Sequence, residues 1–158
     1  MDGIVLLKED HKLVESLFKE FEKKKDSATP DQKKKLVDQI CAELTTHAYI
    51  EETVFYPAAR SEIPDTTEHV LESVEEHHVV AWLMSELRTL DPSDESYDAK
   101  VTVLIENVRH HVEEEEKEWF PEVRKALGRN ALVELGEQMA KAKPDAPSDP
   151  LALQSARS

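Results

Sequence analysis

The stretch His47-Ala48-Tyr49-Ile50-Glu51-Glu52, with Phe55, Tyr56 and Pro57 close behind, decides how this chain reads. The pattern returns as His111-Val112-Glu113-Glu114-Glu115-Glu116, with Trp119, Phe120 and Pro121 at the same offsets. A second echo joins Asp10-His11, which leads Val14, Leu17 and Phe18, to Glu76-His77, which leads Val80, Leu83 and Met84. The displacements are 64 residues (47 to 111) and 66 residues (11 to 77). The chain therefore reads as two copies of one helical hairpin, each with one lone histidine and one His-x-x-x-Glu pair.

Residues four apart on a helix lie on one face, a turn apart along the axis. His47 thus points with Glu51, and His111 with Glu115. Both pairs share a face with core positions: Ile40, Leu44 and Val54 around His47, Leu104 and Val108 around His111. Polar groups on the buried stripes of several helices are costly unless they are satisfied together. A shared metal site does this, and imidazole with carboxylate from facing helices suits iron or manganese, commonly as a dinuclear site. In a chain with 34 acidic residues a single His-x-x-x-Glu pair is a weak signal. Two pairs in matching aromatic and proline context, with two further inward histidines, are a strong one. The bland alternative is a set of hydrogen-bonded buried histidines left by duplication.

Outward from these motifs, hydrophobic spacing is helical nearly throughout. Leu7, Val14, Leu17, Phe18 and Phe21 stripe a first helix that ends in Lys23-Lys24-Lys25, where cations suit the helix dipole. Thr29-Pro30-Asp31-Gln32 reads as a capping box with proline at the first helical position. The second helix is expected to kink or finish at Pro57. Asp65-Thr66-Thr67-Glu68 is a further capping signature, opening a third helix that stops before Asp91-Pro92. The fourth carries Val101, Leu104, Ile105, Val108 and Trp119 and meets Pro121 and Gly128 near its end. The expected fold is all-α, an up-down-up-down four-helix bundle over residues 1–128. Residues 129–143 read as a short fifth helix and 144–158 as a disordered tail.

Composition agrees. The 158 residues are 39 % apolar and 34 % charged with 3 glycines, a profile of amphipathic helices rather than strands and turns. A formal net charge of −14 repels phosphate backbones, so no nucleic-acid partner is expected. Cys41 stands alone, which excludes an intrachain disulfide and a cysteine-based cluster or zinc site. No stretch is long enough for a signal or membrane segment, so the expected location is the cytoplasm and no membrane partner. The expected assembly is a monomer or weak homodimer.

These motifs resemble the hemerythrin-like (HHE cation-binding) family, of the stand-alone bacterial type, over about residues 4–127. The resemblance implies a four-helix bundle enclosing two irons joined by an oxo or hydroxo bridge. It places the lone histidines on His11 and His77 and the His-x-x-x-Glu pairs on His47 with Glu51 and His111 with Glu115, the two glutamates bridging. His78 and His110, adjacent to ligands and so turned by about 100°, then read as exposed or as hydrogen-bonding groups around the ligands, and His69 as a surface residue. The run Glu113 to Glu116 reads mostly as a solvated face, and only Glu115 clearly lies on the side of His111.

Oxygen-carrying hemerythrins have a further histidine four residues from the one on helix three; here Ser73 and Ala81 stand at that spacing from His77. Octahedral iron takes about six ligands, so four histidines, two glutamates and a bridge leave roughly one open position per iron. Glu15 and Glu43 share ligand faces and read as hydrogen-bond partners of imidazoles, with direct ligation as the alternative. Tyr49 and Tyr56 are turned about 160–180° from His47 by regular helical geometry, away from the site unless the helix distorts near Pro57. The resemblance implies catalase-like peroxide chemistry, with reversible oxygen or nitric oxide binding, or iron and redox sensing, as the alternative. Glu15, Glu43 and Tyr49 are then the candidate acid–base groups. A ferritin-like oxidase would need two Glu-x-x-His motifs, and only Glu75-x-x-His78 is present. Iron–sulfur repair relatives carry a cysteine-bearing N-terminal segment, which this sequence lacks.

Overall fold

The computed structural model describes residues 1–153, and the rest of the expected tail, 154–158, lies outside the described residues. Helix α1 (Gly3–Lys24) starts where the Asp2 carboxylate accepts the N–H groups of Ile4 and Val5 at 2.8 and 3.1 Å. Such a cap is worth about 1 kcal/mol. Helix α2 (Pro30–Ile50) opens with the expected capping box. Thr29 Oγ1 accepts from the Gln32 N–H, and the Gln32 side chain accepts from the Thr29 N–H.

The helical backbone does not stop at Ile50. It passes through one π-helical turn, Glu51–Phe55, into α3 (Tyr56–Glu62). The helix therefore does not finish at Pro57; its regular pattern is interrupted one step earlier, by the π-turn. Pro57 lies in the first turn after the π-turn, a position where proline's missing N–H is tolerated. The second copy repeats the device. Helix α5 (Tyr97–Glu114) runs through the π-turn Glu115–Trp119 into α6 (Phe120–Ala142), with Pro121 in the corresponding place.

Between them, α4 (Thr67–Thr89) follows a 3-10 turn at Pro64–Thr66. It lacks the side-chain cap read from Asp65-Thr66-Thr67-Glu68, because the Thr66 hydroxyl is taken by the indole N–H of Trp119. Within α6 the backbone breaks at Gly128 (φ 79, ψ 174), a left-handed conformation that glycine adopts without a Cβ clash. Residues 129–142 beyond it are the short fifth helix. They pack on α1, where a Cβ on Gly136 would collide with the Met1 backbone. Residues 144–153, read from composition as disordered tail, lie on the bundle instead, with Leu153 only 4 % exposed.

The core forms two apolar clusters. One holds Val14, Phe18, Leu44, Val80, Met84 and Leu104; the other holds Ile4, Leu7, Ile50, Phe55, Trp119 and Phe120. Along α1 the passage from one to the other falls at His11, and along α2 at His47. The polar residues singled out by the repeat thus form a layer between two apolar halves. Among the described residues no helix is long and apolar enough to cross a membrane.

Candidate metal centre

All six expected ligands converge in that layer. They fall into two groups, His11 with His47 and Glu115, and His77 with His111 and Glu51, the donor atoms of each lying within 4.8 Å of one another. Each group takes its imidazoles from one hairpin and its carboxylate from the other. The carboxylates also reach across. Glu51 Oε1 is 3.2 Å from His47 Nε2 and 3.3 Å from His77 Nε2. Glu115 Oε1 is 3.6 Å from His11 Nε2, and its Oε2 is 3.4 Å from His111 Nε2. Both side chains are fully buried.

The donor set fits a pair of cations. Neither oxygen of Glu51, nor Oε1 of Glu115, has a hydrogen bond although all three are buried. A buried carboxylate in this state is expensive, and bound cations are the ordinary compensation. The imidazoles are prepared in the same sense. Every Nδ1 faces a carboxylate: His11 Nδ1 meets Glu116 at 2.7 Å, His47 meets Asp10 at 3.0 Å, His77 meets Glu52 at 2.8 Å and His111 meets Glu76 at 2.9 Å. A proton held at Nδ1 would leave the Nε2 lone pair free for a cation in the layer, the orientation metal-binding histidines need.

These four carboxylates obey the repeat, Asp10 matching Glu76 and Glu52 matching Glu116, yet the sequence reading passed over them. The signal was adjacency, each standing next to an expected ligand. Glu116 in particular is no part of a merely solvated face. Asp10 is itself held by Lys143 Nζ at 2.8 Å, which ties the end of α6 to His47. Burial works to raise the Asp10 carboxyl, but the hydrogen bond to His47 and the Lys143 ammonium outweigh it and hold it below the usual range. Burial likewise disfavours a charged His47, yet the Glu51 carboxylate prevails and lifts that imidazole to about 10. Glu51, which burial would raise, is held well below the carboxylate range by His47 and His77. Asp10→Asn is expected to weaken metal binding by about 10–100-fold, read by competition with a chelator.

Four expectations need correction. Glu15 holds no imidazole; the Arg109 guanidinium takes its carboxylate at 2.8 Å, because α5 turns that arginine toward α1. Glu43 is not the partner of His47, whose Nδ1 is satisfied by Asp10. Tyr49 packs at the edge of the cluster around Ile50 and Phe55 rather than in the centre. Tyr56, turned away by regular helical arithmetic, instead reaches it. Its Oη donates to Glu115 Oε2 at 2.9 Å and lies 3.3 Å from the Nε2 atoms of His77 and His111. The π-turn supplies the distortion, since its extra residue re-aims everything after Glu51. Phe120, the repeat partner of Tyr56, stacks on His11 at 6.0 Å as Tyr56 stacks on His77 at 5.6 Å. At this ring position the two halves differ by one hydroxyl.

His110 is exposed and paired with Glu114, and His78 sits 3.5 Å from Glu75 with its side chain 40 % exposed. His69 is not a free surface residue, because its ring packs against Trp119 at 4.7 Å.

A bundle with two His/Glu groups in its buried layer defines a metal-binding helical module. The sequence model of the Hemerythrin HHE cation binding domain matches residues 2–123, and the chain belongs to that family. It is 100 % covered, at TM-score 0.75 and 25 % identity, by 93 % of a crystal structure of a hemerythrin HHE cation binding domain-containing protein, the Rv2633c homolog from Mycobacterium kansasii. A DNA nickase of Nostoc sp. is 28 % identical over 138 residues, covering 87 % of this chain; the chain spans 38 % of that relative's length.

Proposed function

We propose that this chain holds two iron ions through His11, His47, Glu51, His77, His111 and Glu115 and disproportionates hydrogen peroxide. The sharing of Glu51 and Glu115 between both imidazole pairs carries the reading, since two groups joined by two carboxylates favour a dinuclear centre over two separate ions. Bound irons would supply the redox capacity for this reaction, in which one peroxide gives up two electrons and two protons to become O2 and a second takes up two electrons and two protons to become two waters.

The side chains hold, orient and exclude. Asp10, Glu52, Glu76 and Glu116 fix the four imidazoles. Phe55, Trp119 and Phe120 exclude water on the carboxylate side. Tyr56 keeps a hydroxyl proton 2.9 Å from Glu115 Oε2, where it can be lent to that carboxylate or withdrawn. On the other side the four imidazoles line a mainly apolar cavity of about 50 Å³, suited to a molecule of peroxide's size rather than a larger substrate.

Metal analysis of the purified protein should find about two irons per chain, as expected for a site of this ligand count. The loaded protein should evolve oxygen from peroxide, and His47→Ala should abolish it. A fully loaded protein that evolves none overturns the reading. The apolar cavity lining favours a second reading, reversible binding of oxygen or nitric oxide. Reduced protein whose oxygen spectrum is reversed by evacuation would support that reading instead. The nickase's activity is not carried over, since a surface of −14 formal charge repels a phosphate backbone.

A further inference from the structure

The cavity beside the imidazoles is lined in part by a segment that lies beyond residues 2–123, where the family's sequence model matches. Neither Glu51 nor Glu115 lines it, so it meets the centre on its imidazole side. Its wall between α2 and α4 is built from Leu44, Ala48, Val80, Ala81 and Met84. Two of these are alanines, whose short side chains leave room in that wall. Leu153 lines the same cavity and is only 4 % exposed.

The segment bringing Leu153 there starts after the 3-10 turn Lys143–Asp145. Ala146, Pro147, Ser148 and Pro150 line a surface cleft whose other wall is formed by Lys34, Asp38 and Cys41 of α2. Leu151 packs on the apolar cluster around Phe18 and Met84. The polar fastening is thin. Asp149 meets Arg88 at 3.4 Å with both side chains largely exposed, a pair of little energetic weight. The segment is thus held mainly by the apolar side chains of Pro150, Leu151 and Leu153, and it contributes no ligand to the centre.

We infer that Leu153 is the gate residue of this chamber, and that its side chain sets which small molecules reach the imidazole face of the centre. That this face is where molecules react rests on the function proposed above; that Leu153 controls access to the cavity does not. The alternative mouth is at Asn107, the exposed side chain that also lines the cavity.

Two measurements on the full chain test this, one needing no iron. In metal-free protein, xenon exchange with the cavity is followed by xenon NMR. Leu153→Ala should speed exchange at least tenfold and Leu153→Trp slow it at least tenfold, both with unchanged far-UV circular dichroism. In iron-loaded protein, azide association followed by stopped-flow absorbance should move the same way. Exchange within twofold of the parent in both variants overturns the gate, as does a rate that responds to Asn107→Trp and to neither Leu153 variant. Failure to load iron would remove the azide signal and sink the proposed function, while the xenon rates would still decide the role of Leu153.

Discussion

Glu51→Ala is expected to abolish stabilisation by metal while leaving the metal-free fold about as stable as the parent. Glu51 is fully buried with no hydrogen bond to either oxygen, so a lone carboxylate there carries a desolvation cost of several kcal/mol. In the metal-free chain its attraction to His47 and His77 offsets much of that cost. Removing it loses the attraction and the cost together. With metal the balance differs, because Glu51 stands between both imidazole pairs. A ligand present at a thousand times its dissociation constant stabilises a fold by about 4 kcal/mol. For a chain of this length that is a rise in Tm of roughly 8–16 °C. Anaerobic thermal melts with and without ferrous iron should show such a rise for the parent and under about 2 °C for Glu51→Ala, on the same scale. Glu15→Ala is the control. It breaks an ion pair with Arg109 and should keep the whole metal-dependent rise. An unchanged rise in Glu51→Ala would remove Glu51 from the centre.

Deleting residues 129–158 is expected to cost the chain its folded state, although the family match ends at residue 123. Beyond Gly128, Leu132 and Met139 are fully buried, Leu135 is 8 % exposed and Leu153 is 4 % exposed. Burying a side chain of this size contributes about 1.5–3 kcal/mol, so the four together supply roughly 6–12 kcal/mol. Domains of this kind are stable by only about 5–15 kcal/mol in total. The deletion would also bare Ile4, Leu7, Phe120 and Val123, which share their apolar cluster with Leu132, Leu135 and Met139. Circular dichroism of the 1–128 fragment should show no cooperative melt. A fragment melting within about 4 °C of the parent, the equivalent of roughly 1–2 kcal/mol, would show that the fifth helix is dispensable.

Much of the centre was legible because the repeat writes it twice. His11, His47, Glu51, His77, His111 and Glu115 follow from two displacements and the i, i+4 rule, and all six meet in one layer. The Thr29 capping box was equally legible, since its bonds are made within four residues. The groups that steady the imidazoles were harder to see. Asp10, Glu52, Glu76 and Glu116 are ordinary members of an acid-rich chain until neighbouring helices bring histidines to them. Glu15 shows the converse: its face was read correctly, but Arg109 on another helix claims it. Leu153 belongs to a segment without periodicity, so nothing local marked it as buried.

The amino-acid sequence by itself determined the main helical segments, their apolar stripes and the six side chains that share the buried layer. These depend on rotation about a helix's own axis, which spacing sets at about 100° per residue. Only the tertiary structure decided the rest. It set which carboxylate crosses to which imidazole pair, which acid pins each Nδ1 and what closes the cavity, because those contacts join residues from separate helices. It also decided the place of Tyr56, because the π-turn suspends the 3.6-residue period on which the spacing argument depends.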